Sequence, residues 1–458
     1  MNQHLRIALI LCLSLIITAI WLFSGLDRIP FHPDETSLLY QSRDLETWLL
    51  SPASLTWDEP NAQDPDQTYR LLNAPLPKYI LGAGRVFAGF EALDVARDWD
   101  WTRSFASNQR RGAYPPINLL RGARAASTFL LLLGVAALFF AGLRLDGLWT
   151  AVIAMSILAL HALALLHGRR AMAEGTLLFS ISLLILGLIE ARRMPWLTGI
   201  AIALAAASKL SAAAITPVAL IAAIWPGPQE KLVQKSSLQR SLIFLAAAAG
   251  LYLALSPLLW SQPMGAIQAM WQERQSFLHE QVAITRARAP EQVLETPAQR
   301  LAAMLLHLYF QPVQFEEVGN YHQTLAPSIR TYQEPGRTLL RSTAGGSISL
   351  GLTIIGIGAG LLTIRRGESR ERFQHTILLL AGGTQAAALL WANPLPYQRY
   401  YLPLLPFIIL WQANGIVFLG RGMKKAASSL RRPCMRKFRT IPSDNQSAYA
   451  DDLDGEAG

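Results

Sequence analysis

The chain has 458 residues, of which 52% are hydrophobic and only 16% charged, with 41 Lys and Arg against 31 Asp and Glu for a net charge of +10. A soluble domain carries roughly 25% charged residues, so the composition excludes an ordinary soluble protein and points to an all-α polytopic membrane protein. The positive balance would suit a nucleic-acid partner, but the basic residues cluster between hydrophobic stretches, as topology signals do. The expected partner is therefore the lipid bilayer and not nucleic acid.

Residues Leu5 to Phe23 form an apolar run after Arg6, long enough to cross a bilayer and without a small-residue cleavage site before Asp27, which predicts an uncleaved anchor. A long polar segment, 24–125, follows. Within it, the run from Pro75 to Phe90 is apolar but short and Gly-rich, which predicts helices lying along the interface. Further apolar stretches lie near 126–143, 148–166, 176–190, 197–225, 241–260, 346–364, 376–392 and 402–419. Ser208-Lys209 interrupts the 197–225 stretch. Counted as two, it gives about ten transmembrane helices with both termini on one side. Arg192-Arg193, Lys231, Lys235, Arg240, Arg365-Arg366 and Lys424-Lys425 all fall on that side, which makes it cytoplasmic. The segments 24–125, 167–175, 261–345 and 393–401 then face outward from a plasma membrane, the inner membrane in a Gram-negative cell. Residues 1–425 form one membrane domain, and 426–458 a cytoplasmic tail, first basic and then, from about Pro442, acidic and disordered. Cys12 and Cys434 lie in different parts of the chain, so no disulfide framework is expected.

The outward segments carry the chemistry. Asp34 and Glu35, in Phe31-His32-Pro33-Asp34-Glu35, stand about ten residues past the first span. They would serve either as reactive carboxylates or as the cap of a helix beginning at Thr36. A second acid, Glu174, follows His167-Gly168-Arg169-Arg170 in the short outer turn, where the three charges would form part of a site or pair with one another. Lys78 in Asn73-Ala74-Pro75-Leu76-Pro77-Lys78-Tyr79 and Arg399-Tyr400 in the 393–401 corner fix cations at the interface, where they attract phosphate or snorkel within an aromatic belt. Arg121 and Arg124 run against the positive-inside trend close to a span, and Lys209 is left without a role. His279, His307 and His322 accompany Glu280, Glu316 and Glu317 without convincing metal-ligand spacing, so a divalent metal stays open. The sequence contains no Walker motif, GxSxG, HExxH or CxxC, which argues against ATP-driven pumping, serine hydrolysis and zinc proteolysis.

In this order, the motifs resemble those of the C-type membrane glycosyltransferases, especially the protein-O-mannosyltransferase and lipid A aminoarabinose transferase relatives that use polyprenyl-phosphate sugars. His32-Pro33-Asp34-Glu35 matches the acidic motif of that family's first outer loop, which implies that Asp34 is the catalytic base. Asn73-Ala74-Pro75-Leu76-Pro77-Lys78 is similar to the family's His-Pro-Pro-Leu-Gly-Lys pattern, differing at Asn73, Ala74 and Pro77, and makes Lys78 a donor-phosphate ligand. Arg124-Ala125-Ala126-Ser127, Arg169-Arg170 with Glu174 in place of the commoner aspartate, and Arg399-Tyr400-Tyr401-Leu402-Pro403 resemble the later blocks. The resemblance implies an inverting glycosyltransferase moving a sugar from a polyprenyl-phosphate donor to a hydroxyl on a protein, lipid or glycan acceptor, with no nucleotide cofactor. Asp34 would be the base, Glu35 or Glu174 would orient acceptor or metal, and Lys78, Arg124, Arg169, Arg170, Arg399 and Tyr400 would bind phosphate. The 261–345 segment, rich in aromatics, would shape acceptor choice. A lipid-linked glycan polymerase or ligase is the alternative enzyme. A secondary transporter, with Asp34, Glu174 and Lys209 as pathway charges, is the alternative of another class.

Overall fold

The computed structural model describes residues 3–59, 64–95, 97–226, 235–316, 321–334 and 341–436, and every regular element among them is helical. Helix α1 (Gln3–Phe23) spans about 32 Å at 1.5 Å per residue and leaves Leu9, Leu13, Ile16, Ile17 and Ile20 exposed. Such an apolar face needs lipid against it.

Five short helices follow, α2 (Pro33–Gln41), α3 (Asp44–Leu50), α4 (Pro65–Leu72), α5 (Pro75–Phe87) and α6 (Phe105–Arg110). Helix α2 starts at Pro33 and not at Thr36, because proline presets the helical φ and its missing N–H would be unpaired at that position anyway. At 13 residues α5 is too short to span a bilayer. It buries Leu76, Lys78, Tyr79, Leu81 and Arg85 and leaves Val86 and Phe87 exposed.

The bundle is built from α7 (Ile117–Leu145), α8 (Leu148–Leu160), α9 (Ala162–His167), α10 (Glu174–Ile189), α11 (Pro195–Ser208), α12 (Thr216–Ile224) and α13 (Lys235–Leu255). Helix α10 lies between α7 and α11. Lipid supplies no hydrophobic drive between helices, so small residues let backbones meet. A Cβ at Gly134 would stand 3.0 Å from the Phe179 Cα, and one at Gly187 3.0 Å from the Thr198 Cα. The expected break after Ser208 is present: Lys209 is extended, and a 3-10 turn, Leu210–Ile215, leads into α12.

The 261–345 segment is largely helical, with α14 (Pro263–Arg288), α15 (Pro297–Leu305), a π-helical turn over Leu306–Phe310, and α16 (His322–Gln333). The last elements are α17 (Thr343–Arg366), α18 (Ser369–Ala392), a 3-10 turn over Gln398–Leu404, and α19 (Leu405–Arg436). The final helix carries the chain through 426–436, and residues 437–458, with the acidic stretch, lie outside the described residues.

Among the described residues six segments are long and apolar enough to cross a membrane, Leu5–Phe23, Ile117–Leu145, Ser236–Leu255, Thr343–Arg366, Ser369–Ala392 and Gln398–Lys424, and four shorter apolar helices accompany them. The chain is a multi-pass, all-α membrane protein, as the composition implied. Polar contacts fix which helix ends meet. At one end, Arg169 donates to the Leu22 carbonyl, Ser127 to the Gly168 carbonyl, and Ser180 bonds Ser208. At the other, Arg370 donates to Glu190 (3.1 Å) and Arg421 to Asp146 (2.9 Å).

Candidate active site

The site grows from the first turn of α2. His32 is the N-cap, its Nδ1 accepting from the Asp34 N–H (3.1 Å), and Glu35 Oε2 accepts from the His32 N–H (3.0 Å). Successive helix positions diverge by about 100°, so Asp34 and Glu35 point to different surroundings.

Glu35 points inward and is fully buried. Its Oε1 accepts from Arg124 Nε and the Ala171 N–H, both at 2.8 Å, and its Oε2 from Arg124 Nη2 at 2.7 Å as well as from His32. Burial pushes its pKa up, but the Arg124 guanidinium, then Arg170 and the Ala171 N–H, outweigh it and hold the carboxyl below its usual range. With four bonds on two oxygens, Glu35 has no position open for an acceptor or a metal. Arg124 also donates to the Leu26 carbonyl (2.9 Å), Arg169 to the carbonyls of Leu165, Leu22 and Ser24, and Arg170 to those of Pro30 and Phe315. Through these bonds the three buried arginines tie the first polar segment to the bundle.

Asp34 lies on the open side, 27% exposed. Its carboxylate accepts from Arg399 Nη1 and stands 3.9 Å from His32 Nδ1. Arg399 belongs to the 3-10 turn that Gln398 clamps in place, donating to the carbonyls of His307 (3.1 Å) and Pro312 (3.2 Å) and exchanging bonds with Gln314. The next residue, Tyr400, has Lys209 Nζ 5.1 Å and the Arg399 guanidinium 5.9 Å from its ring centre. Lys209 Nζ is 3.5 Å from Glu174 Oε1. Glu174, almost fully buried, opens α10, where the helix dipole favours an acid. Asp34, Arg399, Tyr400, Lys209 and Glu174 therefore form one continuous chain across four elements.

Lys78 sits in a narrow adjoining cleft of about 30 Å³ with Asp44, Arg70, Tyr79, Leu210 and Tyr252. Asp44 accepts from Lys78 Nζ (2.5 Å) and from Arg70 Nη2 (2.9 Å), and burial of its carboxyl is outweighed by Lys78 and Arg70, which hold it below the usual range. Arg274 of α14 donates to the Leu72 carbonyl. Lys78 and Arg70 pair with Asp44, Lys209 with Glu174 and Arg399 with Asp34. Ammonium and guanidinium groups of this kind suit a phosphate. The sequence had not singled out Asp44, Arg70, Arg274 or Tyr252. Among the described residues no group of three or more His, Cys, Asp or Glu could hold a metal ion, and His322 pairs with Glu316 alone at 2.7 Å.

Residues 109–267 match the dolichyl-phosphate-mannose-protein mannosyltransferase family. The match bears out the resemblance read from the motifs. It covers about a third of the chain and takes in Arg124, Arg169, Arg170, Glu174 and Lys209, but not Asp34, Lys78 or Arg399. Among solved structures, the chain is similar to the S. cerevisiae protein O-mannosyltransferase complex bound to its sugar donor, at 18% identity and TM-score 0.40, over 58% of this chain and 35% of that one. It is also similar to the Archaeoglobus fulgidus oligosaccharyltransferase with zinc and sulfate, at 12% identity and TM-score 0.48 over 93% and 51%. The same archaeal enzyme with an inhibitory peptide and a dolichol-phosphate matches at 14% identity and TM-score 0.44, over 95% and 52%. The chain thus spans about half the length, or less, of these structures. No curated protein matches it.

Proposed function

We propose that the protein is an inverting glycosyltransferase that moves a sugar from a polyprenyl-phosphate donor to a hydroxyl acceptor, with Asp34 as general base. The observation that carries this reading is the contact between Asp34 and Arg399, residues 365 positions apart, which puts a proton acceptor beside an anion-binding cation at one end of the bundle. The acceptor oxygen attacks the anomeric carbon while Asp34 takes its proton. The bond from that carbon to the phosphate oxygen breaks on the opposite face, and polyprenyl phosphate leaves with the electron pair. Before the donor arrives, Arg399 holds the Asp34 carboxylate in place. A donor phosphate competes for the same guanidinium, and its capture would loosen Asp34 for the acceptor. Lys209, stacked on Tyr400 and paired with Glu174, and Lys78 with Arg70 across Asp44, are the other cations proposed for the departing phosphate.

The opposite end of the bundle carries Arg144, Arg192, Arg193, Arg240, Arg365, Arg366 and Arg421, so we propose that it faces the cytoplasm, with both chain ends, and that the site faces outward from the plasma membrane. A T102C variant made in a Cys12→Ser, Cys434→Ser background should react with a membrane-impermeant maleimide added to intact spheroplasts. The chemical test incubates the purified protein with polyprenyl-phosphate sugars and a hydroxyl acceptor and follows released lipid phosphate. Asp34→Asn in a correctly inserted protein should abolish release; full release would overturn the base assignment. Product length separates single-sugar transfer from a polymerase or ligase, which would add several residues or a preassembled glycan.

A further inference from the structure

A second cleft, open and of about 500 Å³, is lined in part by Tyr40 of α2 and plays no part in the donor chemistry above. We propose that it is the acceptor subsite and that it takes a neutral carbohydrate, so that the hydroxyl attacking the donor is a sugar hydroxyl; this rests on the transfer reaction proposed for Asp34.

The position is the first argument. Tyr40, six residues after Asp34 on α2, lines the cleft, and the Trp101 ring that forms another wall is 6.5 Å from the His32 ring, itself 3.9 Å from the Asp34 carboxylate. The cleft is therefore separated from the Asp34 carboxylate by little more than the His32 ring.

The lining is the second argument. A pyranose presents an apolar face of C–H bonds and a rim of hydroxyls, and it is held by an aromatic ring against the face and by paired polar groups along the rim. Trp101 is 41% exposed, whereas its neighbour Trp99 is 4% exposed and packed in the core. Trp101 is not loose. Its ring leans on Tyr321 at 6.1 Å, and Asp100 fixes the turn that carries it by accepting from the Thr102 N–H (3.0 Å), Thr102 Oγ1 (2.6 Å), Arg103 Nε (2.7 Å) and Arg111 Nη1 (3.1 Å). A platform fixed before binding costs little ordering entropy. On the polar rim, Asp98 accepts from Tyr69 Oη and from the Trp99 N–H (2.6 Å), and each carboxylate oxygen has a further lone pair for a hydroxyl. Arg97 bonds the Arg111 carbonyl (2.8 Å) through one of its five N–H donors.

Charge bears on the ligand class. The lining holds Arg97 and Arg111 with Asp98 and Asp100, and Arg103 and Arg111 both pair with Asp100, so opposite charges largely offset one another and the cleft favours a neutral ligand. The polar groups are side chains and not a row of backbone N–H and C=O, and no strand edge exists among the described residues to pair an extended peptide.

The test uses the full chain in nanodiscs, without donor. Ligand-observed NMR titration is run with methyl glycosides of glucose, mannose, galactose and N-acetylglucosamine, and with a Ser/Thr-containing peptide. At least one glycoside should bind, Trp101→Ala should weaken it at least tenfold, and Trp101→Phe, which keeps a ring, should recover most of the loss at an unchanged melting temperature. The proposal is overturned if none of the glycosides binds, if Trp101→Ala binds as the parent does, or if the peptide is the ligand whose binding the substitution removes. Because binding is read without donor, its failure is separable from failure of the transfer reading, which shows as no lipid phosphate released by the parent protein.

Discussion

Asp34 and Glu35 are adjacent in the sequence and lie in two different regions of the molecule. Glu35 belongs to the closed interior, where Arg124, the Ala171 N–H and the His32 N–H fill both oxygens. Asp34 belongs to the open chain of Arg399, Tyr400, Lys209 and Glu174, where its arginine is one that an incoming anion can take. A carboxylate with every bond satisfied inside the protein can only hold parts together. One on the open side, paired with a cation that an anion can also bind, can exchange partners, which is what a base must do when substrate enters.

Substituting each acid in turn gives the largest expected effects, of opposite kinds. Asp34→Asn should leave thermal unfolding in detergent unchanged and lower transfer by roughly 10²- to 10⁴-fold, the usual worth of a positioned base. Glu35→Gln should destabilise the fold by about 3–5 kcal/mol, because it leaves the buried Arg124 guanidinium uncompensated. Its melting temperature should drop well before any loss of activity is read at low temperature. Equal melting temperatures for the two variants would erase the distinction between the regions. The arginines sharpen it further: Arg399→Ala should cut kcat/KM for the lipid donor by at least about tenfold, the scale of a lost charge-assisted bond, with little change in melting. Arg124→Ala should behave like Glu35→Gln.

A smaller, pH-dependent effect separates the regions without mutation. Glu35 is held below its ordinary 4.5 in the folded protein. A carboxyl depressed by folding adds stability that is present above its unfolded pKa and is lost as pH falls through the folded value. Asp44 is depressed in the same way by Lys78 and Arg70. Unfolding in detergent should therefore be nearly independent of pH from 7 to about 5 and weaken progressively below 4.5, and Glu35→Gln should flatten the part of that decline that Glu35 causes. A melting temperature that rises on acidification through this range would contradict the ion-paired state of Glu35.

Much of the frame was legible in the sequence because lipid imposes a coarse rule. Apolar runs near 126–143 and 176–190 must be helices, and Ser208-Lys209 must interrupt one, since a lysine in an apolar run needs a polar outlet. The approximate position of the acids was legible for the same reason. Their division of labour was not, because it depends on a rotation of about 100° between neighbours on a helix whose start moved from Thr36 to Pro33. The partners of the arginines were not legible either. Arg169 and Arg170 have the residue type of a phosphate site, and folding brings backbone carbonyls from distant segments to them, which no local pattern encodes. Arg70 and Arg274 show the converse. Neither stands in a motif, and only the packing of α4 and α14 brings Arg70 to the cleft of Lys78 and Arg274 to the Leu72 carbonyl.

The smallest expected effect concerns Arg121, which attracted notice by sitting near a span against the charge trend. It forms a two-pronged pair with Asp27, at 2.7 and 2.8 Å, in better geometry than several contacts in the site. Both side chains are about half exposed, 52% and 47%, so water screens the attraction and competes for each hydrogen bond. An exposed pair contributes little, and Arg121→Ala should leave the melting temperature nearly unchanged, with transfer unaffected. Arg124, one helical turn further on and fully buried, should cost several times more. Equal losses from the two substitutions would mean that closeness of charges, and not removal from water, sets the stability of this segment.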